Sequence, residues 1–580
     1  MKNFLLGLFT GGLLCVLTLV VLFFVVVRIA ASFGERPATV ANGSTLIFKL
    51  DGDVPEKPPT EIPIPFFEEQ SPMTVQQVWE MFRKAAADSR VKAVILEPRG
   101  LSIGWARLEE IHQEIVNFKK SGKPIVALLR GPGAREYYLA SATDRIFMLP
   151  DETLDLKGLR VEAIYLKNTL DKLGVKMDVV HAGKYKDAGD MFTQTSMTPE
   201  TREVLNTVLD QYYGDLINTI AEGRRKQPEE VRAIIDQGPF MGKQAQSSGL
   251  VDVLGYEDQV TQYVAKKLDQ TDLIRLSAKS YQKVPASSVG LTGTRRIALV
   301  VGEGEITRGP ADGGLGEEQG ITSGGLNKLL KQVESDASIS GVVLRVNSPG
   351  GDGVASDEIL EEAKHLSKKK PLVISMGDVA ASGGYFISMT GDPIVAYPNT
   401  LTGSIGVIFA KINLHGTYDK IGVNKQLLTR GRFAALDSDY QTLTDDELQK
   451  LRQQIDAFYR VFVSRVADGR KRSYEQIEPL SQGRVWLGAQ AKGNGLVDQL
   501  GGLDKAIELV KKRAQIPPEE KVTIVTYPPK RTVLDLLMNR SDETAGIEVK
   551  TMRKLFAGLP VGAWAQGGFL KLMPYIIQVR

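Results

Sequence analysis

Along most of the chain, short apolar runs alternate with stretches whose apolar positions recur every three or four residues. Residues 297–301, 341–346 and 372–375 are almost wholly apolar and rich in β-branched side chains. That composition predicts strands buried on both faces. Residues 326–333 and 357–366 between them carry helical periodicity. Thr198-Pro199 puts proline at a first helical position, and Thr444-Asp-Asp-Glu447 is a capping box. The stripe Leu448, Leu451, Ile455, Phe458, Phe462 that follows has the spacing of a core-facing helix. Strand–helix alternation of this kind predicts an α/β fold with a largely parallel sheet.

The first residues follow a different pattern. Positions 4–27 contain no charge, and 24 residues of helix exceed the roughly 30 Å of a bilayer's hydrocarbon. A cleavable signal has a shorter apolar stretch, so residues 1–32 read as one uncleaved transmembrane anchor. Ala30-Ala31-Ser32 stays open as a processing site. Lys2 on one side and Arg28 and Arg36 on the other leave the orientation poorly encoded.

Behind the anchor the chain repeats itself. Ala221-Glu-Gly-Arg-Arg-Lys226 returns as Ala467-Asp-Gly-Arg-Lys-Arg472, and Gly249-Leu-Val-Asp-Val-Leu-Gly255 as Gly495-Leu-Val-Asp-Gln-Leu-Gly501. Leu170-Asp-Lys-Leu-Gly-Val175 matches Tyr418-Asp-Lys-Ile-Gly-Val423, and Lys123-Pro124 matches Lys370-Pro371. The offset stays between 246 and 248. A constant offset means two homologous domains, 45–285 and 295–515, with a polar linker near 286–294 and an extension over 516–580.

Composition narrows the chemistry. The 72 Lys+Arg against 69 Asp+Glu leave a net charge of +3, which gives no case for nucleic acid as a partner. Cys15 is the only cysteine, and there are four histidines, so neither a disulfide nor a multi-histidine metal centre is expected. Cofactors and metals are expected to be none.

The candidate chemistry lies where the repeats differ. The second has Asn347-Ser-Pro-Gly-Gly351 at a strand end, where the first has Glu97-Pro-Arg-Gly-Leu101. It has Ser382-Gly383-Gly384 after a strand, where an offset of 247 finds Arg135-Glu136-Tyr137. Conversely, Gly183-Lys-Tyr-Lys186-Asp187 faces Gly431-Arg-Phe-Ala434-Ala435, so the lysine belongs to the first repeat alone. A hydroxyl at a strand-to-helix turn, beside glycine amides, suits a nucleophile with an oxyanion site. A tight turn without chemistry is the alternative. Serine needs a base. His415 is the only histidine after Ser382. A lysine serves only if held neutral, which costs about 4 kcal/mol of differential solvation and demands burial. A solvated Lys186 beside Lys184 and Asp187 is the competing reading. The Gly-rich stretch 308–325 lacks the Gly-Lys-Ser/Thr of a phosphate loop and reads as a mobile loop.

These residues resemble the signal peptide peptidase A (protease IV) family in its long tandem bacterial form. The resemblance rests on Asn347–Gly351, Gly377-Asp-Val-Ala-Ala-Ser-Gly-Gly-Tyr385, Leu401-Thr-Gly-Ser-Ile-Gly406 and Gly183–Asp187. It implies two tandem Clp protease/crotonase-type domains and a Ser/Lys dyad assembled across them. Ser382 would be the nucleophile and Lys186 the base, with Ser404 orienting the lysine and Gly351 and Gly383 donating to the oxyanion. It also implies a serine endopeptidase acting on cleaved signal peptides and other apolar peptides. Further implied are a homotetramer and a single-pass anchor holding the body on the periplasmic side of a bacterial plasma membrane, in contact with lipid. A crotonase-type acyl-CoA hydratase or hydrolase and a catalytically silent membrane scaffold remain alternatives. The extension beyond 516 is outside the resemblance; its apolar run at 569–577 is too short to span a bilayer and has the body, a neighbouring subunit or the membrane surface to pack on.

Overall fold

The computed structural model describes residues 39–57, 72–310, 320–529, 569–573 and 579, with residues 11, 17, 18 and 21 before them. All but those four residues of the expected anchor, and the centre of the Gly-rich 308–325 stretch, lie outside the described residues. Among those described, no helix is long and apolar enough to cross a membrane.

The first repeat is built on a six-stranded parallel sheet. Its order is Val253–Leu254, Arg145–Met148, Ile125–Leu129, Val91–Arg99, Ser44–Asp51, Arg275–Ser277. The second repeat has eight strands in its sheet. The order Gln499–Leu500, Ile394–Ala396, Leu372–Ala381, Ile339–Ser348, Arg295–Glu303, Val522–Tyr527 repeats that of the first and is all parallel, and Leu401–Gly403, followed by the antiparallel Val485–Leu487, branches from Leu372–Ala381. The apolar runs of the sequence are the central strands, covered on both faces by helices such as Ser323–Ser335, Gly353–Lys369 and Leu503–Arg513. The 26-residue helices Pro199–Arg224 and Asp445–Arg470 also match. Each is capped by a threonine, and each ends in a left-handed basic residue, Arg225 or Lys471, with φ of 54°. Beyond 515 the chain continues into the body, supplying the edge strand Val522–Tyr527.

A third, mixed sheet joins the repeats. Its order is Gly320–Thr322, Glu305–Thr307, Gly350–Asp352, Phe569–Leu572, Val407–Asn413, Lys176–Ala182. The last strand comes from the first repeat and pairs antiparallel with the second along its whole length, from Ala182 opposite Val407 to Lys176 opposite Asn413. Buried ions add a second tie. Arg345 donates to Glu56 and Glu110 of the first repeat, each at 2.6 Å, and Arg107 pairs with Asp378. Arg345 and Asp378 stand on the strands that lead to the two glycine loops.

Candidate active site

The strand 372–381 ends at Ser382, which is the N-cap of the short helix Gly383–Phe386. Its backbone is held at φ 54°, ψ −115°, a conformation rarely adopted by a residue with a side chain. Two hydrogen bonds fix it: the Ser382 amide donates to the Gly403 carbonyl at 2.8 Å, and the Phe386 amide donates to the Ser382 carbonyl at 2.8 Å. The turn thus aims the hydroxyl away from the sheet ladder, at the crossing between the repeats.

Lys186 arrives at that crossing because the strand Lys176–Ala182 is stitched to Val407–Asn413. After Ala182 the chain turns at Gly183, where a Cβ would collide with the backbone of Gln482. The Tyr185 amide then donates to the Gln482 carbonyl at 2.8 Å. A Cβ on Gly406 would come within 3.0 Å of the Lys186 side chain. Glycines on both sides therefore let the lysine stem enter a closed channel.

The amine ends 2.8 Å from the Ser382 hydroxyl and donates to the Ser404 carbonyl and hydroxyl oxygens, both at 2.9 Å. Lys186 and Ser382 are both 0 % exposed. Burial drives the Lys186 amine well below its ordinary pKa of 10.5, opposed only by the neighbouring Asp187. A neutral amine with its N–H bonds directed at Ser404 keeps its lone pair for the Ser382 proton. Burial also pushes the Asp187 carboxyl up to about 7. One Asp187 oxygen accepts from the Thr201 hydroxyl, and the other has no hydrogen-bond partner among the described residues.

The glycine loops converge on the same point. A Cβ on Gly383 would come within 3.1 Å of the Gly351 amide nitrogen, and one on Gly350 within 2.6 Å of the Gly383 amide nitrogen. Gly350 and Gly351 both have positive φ, 102° and 152°. All five residues expected from the sequence, Ser382, Lys186, Ser404, Gly351 and Gly383, therefore meet in one place. His415 does not join them: its ring stacks on Tyr440 at 4.2 Å, and its nitrogens face the Tyr440 carbonyl and Asp419. Two features had no sequence signal strong enough to find them. One is Asp187 with Thr201, of which the sequence marked only Asp187, as a neighbour of Lys186. The other is the strand Phe569–Leu572, which lies on the Gly350–Asp352 edge.

The Peptidase family S49 pattern matches residues 117–271 and 364–517, one stretch in each repeat, and the Clp protease pattern matches 319–403. The chain is 34% identical over 544 residues to the chloroplastic serine protease SPPA of Arabidopsis thaliana, covering 92% of this chain and 79% of that one. It is 32% identical to Protease 4 of Salmonella typhi over 473 residues, 79% of this chain and 74% of that one. Protease 4 of Haemophilus influenzae is also 32% identical, over 440 residues, 73% of this chain and 70% of that one. With an α/β fold, a hydroxyl at a strained turn and a match in both repeats, the chain belongs to peptidase family S49 and is a serine protease of that family.

Proposed function

We propose that the protease works through a Ser382–Lys186 dyad. Lys186 takes the Ser382 proton as the hydroxyl attacks a peptide carbonyl, and the Gly351 and Gly383 amides receive the developing negative charge. Lys186 then protonates the leaving amine and deprotonates the water that releases the acyl group. Ser404 holds the amine in line. The observation that carries this reading is the 2.8 Å approach of a fully buried lysine amine to the serine hydroxyl. Lys186→Ala is expected to lower peptide hydrolysis by about 10²–10⁴-fold. Lys184→Ala, on the solvent side of the same loop, is expected to leave it within a few-fold. Ordinary turnover by folded Lys186→Ala on casein or a signal peptide sinks the dyad.

The substrates we infer are cleaved signal peptides and other apolar segments. The uncharged 4–27 run supports an anchor that keeps the body beside the bilayer, where such peptides accumulate. We place the body on the extracytoplasmic face of a bacterial plasma membrane. Degradation of the body by protease added to spheroplasts tests that side.

We also infer a homo-oligomer, a tetramer by resemblance. The repeat supports it. The pairing of 176–182 with 407–413 has a counterpart, shifted by 248, in 424–430 and 159–165. Those two segments are irregular and mostly exposed, with Leu428 94 % exposed. Head-to-tail association of copies would pair them as the chain pairs its own repeats. Light scattering of the detergent-solubilised chain reads the copy number.

A further inference from the structure

Tyr185, the residue before Lys186, is gripped by a side chain of the second repeat. The Arg484 guanidinium lies over the Tyr185 ring at 4.9 Å and over the Trp486 ring at 4.6 Å. Its Nη1 donates to the Tyr185 hydroxyl at 3.0 Å and to Glu203 Oε1 at 2.6 Å. The Tyr185 hydroxyl in turn donates to Glu203 Oε2 at 3.1 Å. Arginine, tyrosine and carboxylate thus close a ring of hydrogen bonds, with Glu203 exposed at the rim and Tyr185 buried behind it.

The backbone of the same turn serves the other side of the site. The Arg484 carbonyl accepts from the Ser404 amide at 2.7 Å, and the Gly483 amide donates to the Ile405 carbonyl at 2.8 Å. Ser404 is the residue whose two oxygens receive the Lys186 amine. A Cβ on Gly483 would come within 2.6 Å of the Lys186 amide nitrogen. One turn, 482–484, therefore touches the lysine backbone, its tyrosine neighbour and its hydrogen-bond acceptor. Glu203 is held independently, on the helix Pro199–Arg224, whose Thr201 donates to Asp187 on the next residue after Lys186. The grip exists only where the lysine does. An offset of 248 finds Phe433 in place of Tyr185. An offset of 246, which relates the caps Thr198 and Thr444, finds Gln449 in place of Glu203 and Gly238 in place of Arg484. All three polar partners are missing together with the lysine.

We propose that Arg484 and Glu203 are positioning residues: by clamping the Tyr185 ring they keep the Lys186 amine in its dry channel and in line with Ser382. The proposal rests on the Ser382–Lys186 reading. A lysine stem is flexible, and an amine that meets water takes up a proton. The ion pair itself is partly exposed, so it adds little to stability. Its effect falls on geometry instead. The Arg484 guanidinium holds the Glu203 carboxyl below the usual carboxylate range, so Glu203 is charged wherever Lys186 titrates. The other charges facing this loop are Lys184, Asp187 and Asp190 on the loop itself and Glu478 beside Gln482. Charge alone makes opposite predictions for the two clamp residues. Loss of the guanidinium raises the Lys186 pKa, and loss of the carboxylate lowers it. A loosened clamp admits water in both cases and raises it in both.

The test measures kcat, KM and the pH profile for hydrolysis of a quenched fluorescent signal peptide by the full-length chain in detergent. The variants are Arg484→Ala, Glu203→Ala and Tyr185→Phe. Arg83→Ala is the control, because Arg83 also lies over a tryptophan and reaches across the repeats, to Asp504 at 2.9 Å, at another part of the interface. Arg484→Ala and Glu203→Ala are each expected to lower kcat about tenfold near neutral pH with KM within about twofold. Both are expected to move the acid limb to higher pH. Tyr185→Phe, which removes one hydroxyl, moves the limb the same way by less, and keeps the test open should an alanine variant not fold. Arg83→Ala matches wild type. A Glu203→Ala limb that stays in place or moves to lower pH overturns the clamp and leaves the dyad standing, as does an equal loss in Arg83→Ala. Ordinary turnover by folded Lys186→Ala overturns the dyad and the clamp with it.

Discussion

In the first repeat the Glu136 carboxylate accepts from the Leu101 amide at 2.6 Å and from the Gly133 amide at 2.9 Å. In the second repeat the offset of 248 that relates the helix N-caps Gly104 and Asp352 puts Gly384 opposite Glu136, so no carboxylate stands at this loop, and the strand Phe569–Leu572 pairs with Gly350–Asp352 instead. Around these points the scaffolds are alike. Tyr137 and Tyr385 donate to the carbonyls of Leu250 and Leu496 at 2.7 and 2.8 Å. Arg224–Asp252 and Arg470–Asp498 close the same loop at 2.6 Å in each repeat. Glu136 thus closes in the first repeat a loop that the second leaves without a carboxylate, and the first repeat sends Lys186 to the crossing instead. The tyrosine pair also fixes the offset at this point as 248, one residue from the 247 that the motif comparison gives, so Ala134 rather than Arg135 stands opposite Ser382. Alanine offers no hydroxyl, and the contrast between the copies survives the shift.

The sharpest way to break the comparison is through pH. If the donated lysine is the base, only its neutral form works. Because burial lowers its pKa below 10.5, kcat/KM is expected to be full above that lowered value and to fall tenfold for each pH unit below it. Asp187 raises the Lys186 pKa, so Asp187→Asn is expected to move the acid limb to lower pH. A limb that stays in place shows that another group is titrating.

Next in size is the tie that keeps the copies in register. Arg345→Ala leaves Glu56 and Glu110 buried without their partner, and is expected to cost about 3–5 kcal/mol in denaturant unfolding. A change under ~1 kcal/mol would mean that the ions are incidental. Smaller again, Glu136→Ala strips two amides of their acceptor, for about 1–3 kcal/mol of stability. Casein hydrolysis by the folded variant is expected to be unchanged; a large loss would give the first repeat a chemical role. Smallest are the caps. Thr198→Ala and Thr444→Ala should each cost about 1 kcal/mol, and nearly equally, since both hydroxyls accept from the third helical amide. A clear inequality would show that the long helices do not serve their repeats alike.

Much of this was legible in the order of residues. The buried strands announced themselves as β-branched runs, the long helices through Thr198-Pro199 and the Thr444 box, and the duplication through its constant offset. Ser382, Lys186 and the two glycine loops stood out because each was present in only one copy. The third sheet left no such mark. Its strands are short, and partners such as Gly351 and Lys571 are more than two hundred residues apart. They are joined by backbone hydrogen bonds that any side chain can make.

By itself, then, the sequence determined the two α/β units and the residue types available for catalysis, because burial and capping act over a few neighbouring positions. Only the tertiary structure decided that Lys186 is buried rather than solvated, and that the tail lies on the Gly350–Asp352 edge. Both depend on which distant backbone excludes water from a given atom, and that exclusion exists only once the repeats are packed together.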